Sequence, residues 1–153
     1  MGEGYNFNRL KTGILALSDA TTWDEARQEW RLDHVYDAEE LETCLCGHHP
    51  IIEVCVLRNP RNNSLTEVGN ICVHRFMKLA SKRVFDCLKR IRDDDEKAPN
   101  SEVVDLFYNR GILNDWERDF ALDTVRKRNL SGRQLAKRKA INKKILANTK
   151  RMR

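Results

Sequence analysis

The sequence predicts an α+β fold that is mainly helical, with one β-hairpin feeding a long helix. Three observations carry this prediction. Apolar residues recur at three-and-four spacing in several stretches, most cleanly from Cys72 to Arg92. One stretch, Ile51 to Val68, is β-branched and alternating, with a turn cluster at its middle. A third of the 153 residues are charged and the mean hydropathy is −0.65, so the core is modest and suits helices with one buried stripe.

The elements follow in order. Leu10, Ile14, Leu15 and Leu17 place one apolar face on a short first helix. Thr22-Trp23-Asp24-Glu25 has the form of a capping box, in which threonine accepts from the first turn and glutamate reaches back. The helix it opens runs from Trp23 to about Leu32, with Trp23, Ala26 and Trp30 on one face. Asp37 to Glu42 reads as an acidic connector without a period. Cys44-Leu45-Cys46-Gly47-His48-His49-Pro50 is a tight turn dense in metal-binding side chains.

Ile51 to Leu57 then forms a strand, Asn59 to Asn63 a turn, and Ser64 to Val68 the returning strand. Gly69-Asn70 breaks the hairpin before a helix over Cys72 to Arg92, whose stripe is Val73, Phe76, Met77, Ala80, Val84, Cys87, Leu88 and Ile91. Asp93 to Asn100 is a charged linker, and a boundary there divides the chain into a zinc-binding domain with N-terminal helices over 1–97 and a basic helical region over 98–153. Ser101 caps a short helix stopped by Gly111, and Asn114 or Asp115 caps the next. Ser131-Gly132-Arg133-Gln134 resembles a second capping box. It opens a basic arm from Gly132 to about Ala147 that is weakly packed, because only Leu135, Ile141, Ile145 and Leu146 are large and apolar.

The chemistry concentrates in the cysteine turn. Zinc takes four sulfur or nitrogen ligands in a tetrahedron. The turn offers Cys44 and Cys46, and the first turn of the following helix offers Cys72, where the helix dipole favours a thiolate. The 25 residues between Cys46 and Cys72 suffice for a hairpin to go out and return, so knuckle, hairpin and helix form a treble-clef-like arrangement. The fourth ligand is open among His48, His49 and His74, with His48 preferred for its place on the turn. Four protein ligands leave no position for water, which makes the Zn²⁺ structural. Cys55 in its strand and Cys87 on its stripe read as packing residues.

These stretches resemble a family of small bacterial and phage proteins. The likeness lies in WDEARQEWRL from Trp23, CLCGHHPIIEVCVLRN from Cys44, VGNICVHRF from Val68, and the pieces NDWERDF and LSGRQ. The resemblance implies that Cys44, Cys46, His48 and Cys72 are the metal positions. His49 departs from the pattern, since relatives carry an aromatic residue there. The last two pieces resemble a helical module at the C-termini of phage and plasmid proteins that handle DNA.

Charge is strongly segregated. Thr124 to Arg153 holds 12 basic residues and no acid, whereas the preceding residues hold 16 basic and 23 acidic ones. Such a basic end meets a polyanion, or folds against the protein's own acidic surface. The leading expectation is a non-catalytic, zinc-stabilised protein that contacts DNA or RNA phosphates through Arg126, Lys127, Arg128, Arg133, Lys137, Arg138, Lys139, Lys143 and Lys144. This stretch has no aromatic residue, so phosphate contact is expected rather than base readout. The alternative is a protein-interaction module, an adaptor or inhibitor, with the zinc purely structural.

Enzymatic readings find little support. There is no Gly-rich phosphate loop, nucleophile elbow or His-Glu-x-x-His. His34 reads as an ordinary surface histidine, and Asp93 to Glu96 as solvated charge. No apolar run nears the roughly 20 residues of a membrane span. The first residues lack a basic stretch followed by an apolar one, so no secretory signal is expected. Five cysteines without an export signal point to a reducing, cytoplasmic setting.

Overall fold

A computed structural model describes residues 2–149. They form an α+β fold of seven α-helices and one three-stranded antiparallel sheet of order β1-β2-β3. Two compact units divide the chain, 2–81 and 82–149.

The first unit holds α1 (Gly2–Ala16), α2 (Trp23–Glu29), β1 (Arg31–Glu42), β2 (Ile51–Asn59), β3 (Ser64–Gly69) and the short α3 (Asn70–Cys72). β2 is the central strand, and Val54, Cys55, Val56 and Leu57 are buried in succession, so both of its faces are covered. Tyr36, Val54 and Val56 form a cluster on one face, with Ala38 and Ile51 against it. Val35, Cys55 and Val68 are paired across the three strands and fully buried on the other. α1 turns Leu10 and Ile14 inward, each contributing about 1.5–3 kcal/mol on leaving water, and Ala26 of α2 and Trp30 just after it are also fully buried.

Two sequence expectations are corrected here. The acidic connector is the second half of β1, whose register against β2 is interrupted between Asp37 and Glu42. Carboxylates disfavour strands, but β1 pairs with β2 alone and its Glu39, Glu40 and Leu41 remain exposed. α2 ends at Glu29, and Thr22 caps it without a side-chain hydrogen bond, so the first capping box does not form.

The long helix is also broken. After α3 the chain winds as a π-turn over Val73–Met77, and Lys78 takes a left-handed φ of 58°. The helix then restarts as α4 (Ser81–Asp93). A π-turn accommodates an extra residue, and a left-handed residue ends a helix. Buried Ser81 donates to the Asn70 carbonyl at 3.5 Å across the break. The stripe still buries Val73, Met77, Val84, Cys87, Leu88 and Ile91, whereas Ala80 is exposed.

The second unit comprises α4, α5 (Ser101–Asn109), α6 (Asp115–Thr124) and α7 (Gly132–Ala147). Asn100 rather than Ser101 caps α5, by accepting from Val103. Complete capping boxes open α6 at Asn114 and Glu117, and α7 at Ser131 and Gln134. The basic arm is not weakly packed. α7 buries Ile141 and Ile145, and Asn142 Nδ2 donates to the carbonyls of Asp95 (2.9 Å) and Lys97 (2.8 Å). The acidic linker therefore serves α7 as a strip of backbone acceptors. No helix among the described residues is long and apolar enough to cross a membrane.

Candidate functional site

Three thiols converge in the first unit. The Sγ atoms of Cys44, Cys46 and Cys72 all lie within 4.8 Å of one another. Cys44 and Cys46 are buried and Cys72 is half-buried. Sulfurs on one tetrahedral zinc, with bonds of about 2.3 Å, stand roughly 3.8 Å apart, so the spacing of these three is compatible with a shared ion.

The loop geometry follows from local chemistry. Gly47 has a φ of +91°, which lets the chain turn back within one residue. Its N–H donates to the Cys44 carbonyl at 2.8 Å, and the Cys44 N–H donates to the His48 carbonyl at 2.9 Å. That turn aims the His48 N–H at Cys46 Sγ (3.4 Å), while the end of β3 aims the Gly69 N–H at Cys44 Sγ (3.2 Å). Backbone donors directed at sulfur favour thiolates, the form in which cysteine binds metal.

The thiols titrate as a set. A hydrogen bond from the Cys72 thiol brings Cys44 down to about 5 against the opposing effect of burial, with the Gly69 N–H adding to it. Cys72 moves upward, first because its proton is held by Cys44 and then because of burial. Burial raises Cys46. One sulfur is thus readily ionised while its two neighbours hold their protons more tightly, and a bound cation would favour the thiolate form of all three. This donor set fits Zn²⁺.

The imidazoles do not join the sulfurs among the described residues. His48, His49 and His74 are all exposed, and His49 Nδ1 lies 2.8 Å from Thr43 Oγ1. His34 Nδ1 sits 2.7 Å from Asp33 Oδ2. Cys55 is fully buried, which pushes its thiol up to about 12. Cys87 is raised by burial and accepts the Asn100 N–H at 3.2 Å.

Sequence reasoning missed the support that α1 lends this loop. A Cβ on Gly47 would come within 2.5 Å of Arg9 Nη1, and one on Gly13 within 2.9 Å of Leu45. Arg9 therefore brings a guanidinium onto the cysteine turn. The signal that existed was Gly13 itself, a helix-interior glycine where close approach is the common reason.

The basic residues sort into two groups. Arg126, Lys127, Arg128, Arg133 and Lys143 are exposed and make no ion pair with the described residues. The others are engaged. Arg138 is 8% exposed and donates to the carbonyls of Thr124 (2.6 Å) and Glu96 (3.2 Å). Burial lowers its pKa, and it is a structural brace rather than a phosphate contact. Lys139 pairs with Glu96 and Asp95, and Lys144 with Glu117 at 2.9 Å. Burial would raise Glu117, but the Asn114 N–H and Lys144 outweigh it and hold the carboxyl below its usual range. Lys137 Nζ lies 4.8 Å from the centroid of Trp116. Lys150, Arg151 and Arg153 lie outside the described residues.

No family model, no curated protein and no solved structure matches this chain. The likeness to bacterial and phage zinc proteins therefore rests on the quoted motifs alone.

Proposed function

We propose that this is a non-catalytic, zinc-stabilised nucleic-acid-binding protein of the kind its bacterial and phage motifs resemble. The observation that supports it is a set of five exposed cations, Arg126, Lys127, Arg128, Arg133 and Lys143, which make no ion pair among the described residues, in a stretch without a single acid. Phosphates satisfy such cations and release counterions, which makes affinity tolerant of sequence and steep in salt. Cys44, Cys46, Cys72 and His48 hold the zinc. The His48 backbone bonds both cysteines of the knuckle, which keeps this histidine on the same turn as Cys44 and Cys46. The ion ties the turn to the helix start, and these residues do no chemistry beyond holding it.

The test is a gel-shift series on DNA and RNA at several salt concentrations. Log affinity should fall linearly with log salt, with a slope of about −0.7 to −0.9 per phosphate contact. Reversing Arg126, Lys127, Arg128 and Arg133 to Glu together should abolish binding. A salt-independent interaction, or none, refutes the reading.

The second reading, a protein-interaction module, draws on Leu41, Ile52 and Ile71. All three are well over half exposed, and they occur where β1, β2 and α3 approach the cysteine loop. Stoichiometric capture of a protein by the variant with all four cations reversed would favour it.

A further inference from the structure

We propose that Trp116 is a base-stacking site for single-stranded nucleic acid, with Lys137 over its ring and the cationic loop between α6 and α7 following the far end of the same helix. This rests on the nucleic-acid reading above and adds to it both an aromatic contact and a preference for unpaired strands. Trp116 stands in the first turn of α6 and is 56% exposed, whereas tryptophan is highly buried on average. It is the only tryptophan among the described residues left this open, since Trp30 is fully buried and Trp23 half-buried. Phe120, one turn on, stacks with the indole at 5.2 Å and 12°, which holds the ring in a fixed orientation. The tertiary fold thus supplies the aromatic residue that the basic stretch itself lacks.

The surroundings select the ligand. Lys137 reaches over the indole from α7, with Nζ 4.8 Å from the ring centroid. A nucleotide presents a flat base and, one backbone step away, a phosphate. The base takes the ring face, and the ammonium on its flexible stem moves from the ring to the phosphate. Arg133 lies one turn before Lys137, and Arg126, Lys127 and Arg128 lie in the connection from α6 to α7, so the cations continue for neighbouring phosphates. Bases in a duplex are stacked on each other and cannot reach a side-chain ring, so the ligand is an unpaired strand.

The experiment compares full-length, zinc-loaded wild type with Trp116→Ala and Trp116→Phe. Each is titrated with a labelled thymidine oligonucleotide of about 15 nucleotides, within the range of a single-stranded binding site, and with a hairpin duplex of equal charge. Thermal melts of each variant check that the second unit stays folded. Trp116→Ala should bind the single strand roughly tenfold or more weakly while leaving duplex affinity unchanged, and Trp116→Phe should recover part of the loss. Equal affinity of Trp116→Ala and wild type for the single strand overturns the proposal, as does an equal loss on both ligands. Wild-type binding that is steep in salt but insensitive to Trp116 defeats the stack and spares the parent reading. Wild type that binds neither ligand defeats both. Loss of a protein partner by Trp116→Ala, with oligonucleotide affinity intact, also overturns it.

Discussion

Glu29 is almost wholly buried, and its carboxylate accepts hydrogen bonds from Asn59 Nδ2 and from the N–H groups of Asp19 and Ala20, all at 2.8–2.9 Å. One side chain thus ties the α1–α2 connection to the tip of the hairpin, where Asn62 Nδ2 also donates to the Leu17 carbonyl. These bonds, Asn59 foremost, hold the carboxyl below its usual range. Its stabilising effect is complete above the ordinary carboxylate pKa of about 4.5 and fades as pH falls through the lower folded value. Glu29→Gln should lower the urea midpoint at neutral pH and flatten its decline below about pH 4.5, as denaturation series at several pH values would register. Gly47 is the second position where one atom decides. Its positive φ strains any L side chain by roughly 1–2 kcal/mol, and a methyl group there also displaces Arg9. Gly47→Ala should therefore lower both the melting temperature and the affinity for added Zn²⁺, read by calorimetry and metal titration. Of these features the sequence showed the glycine and the cysteines. Glu29 was not legible, because its partners at Asn59 and Asp19 meet it only through the folded chain.

At the level of elements, α7 was legible as a helix but not as a packed one. Its capping box at Ser131 is written in four consecutive residues and forms as written. Its burial is not, because Arg138 and Asn142 look polar and only their carbonyl partners at Thr124, Glu96, Asp95 and Lys97 make burial tolerable. Asn142→Ala should cost about 1–3 kcal/mol in urea unfolding, since two carbonyls lose their donor. Lys143→Ala, one residue on and exposed, should change stability by less than about 0.5 kcal/mol while weakening nucleic-acid binding. The break at Lys78 was hidden for a related reason. The apolar stripe keeps its spacing across a π-turn closely enough that periodicity alone cannot report the interruption. β1 was missed because its acidic half obscures alternation, and only pairing with β2 makes it a strand.

At the level of the molecule, the candidate metal site and the exposed basic cluster lie in different units. The three thiols belong to 2–81, and the exposed cations belong to 82–149. Binding energy of the ion is part of the folding energy of the unit that holds it. A strong chelator should therefore abolish hydrogen-exchange protection at the β2 amides of Val54 to Leu57 and leave the interiors of α5, α6 and α7 protected. Equal loss in both units, or none, would contradict this division.

Local pattern was enough for the α+β class, the positions of the hairpin and most helices, the capping box at Ser131, and the meeting of Cys44, Cys46 and Cys72. Each is set by neighbours in the chain or by ligand chemistry that tolerates few alternatives. Packing between distant parts of the chain set which cations stay exposed without an ion pair among the described residues, that α7 packs against a linker's carbonyls, and that Trp116 lies beside Lys137. Those outcomes depend on groups distant in the chain that satisfy or expose one another, and local patterns carry no record of such pairings.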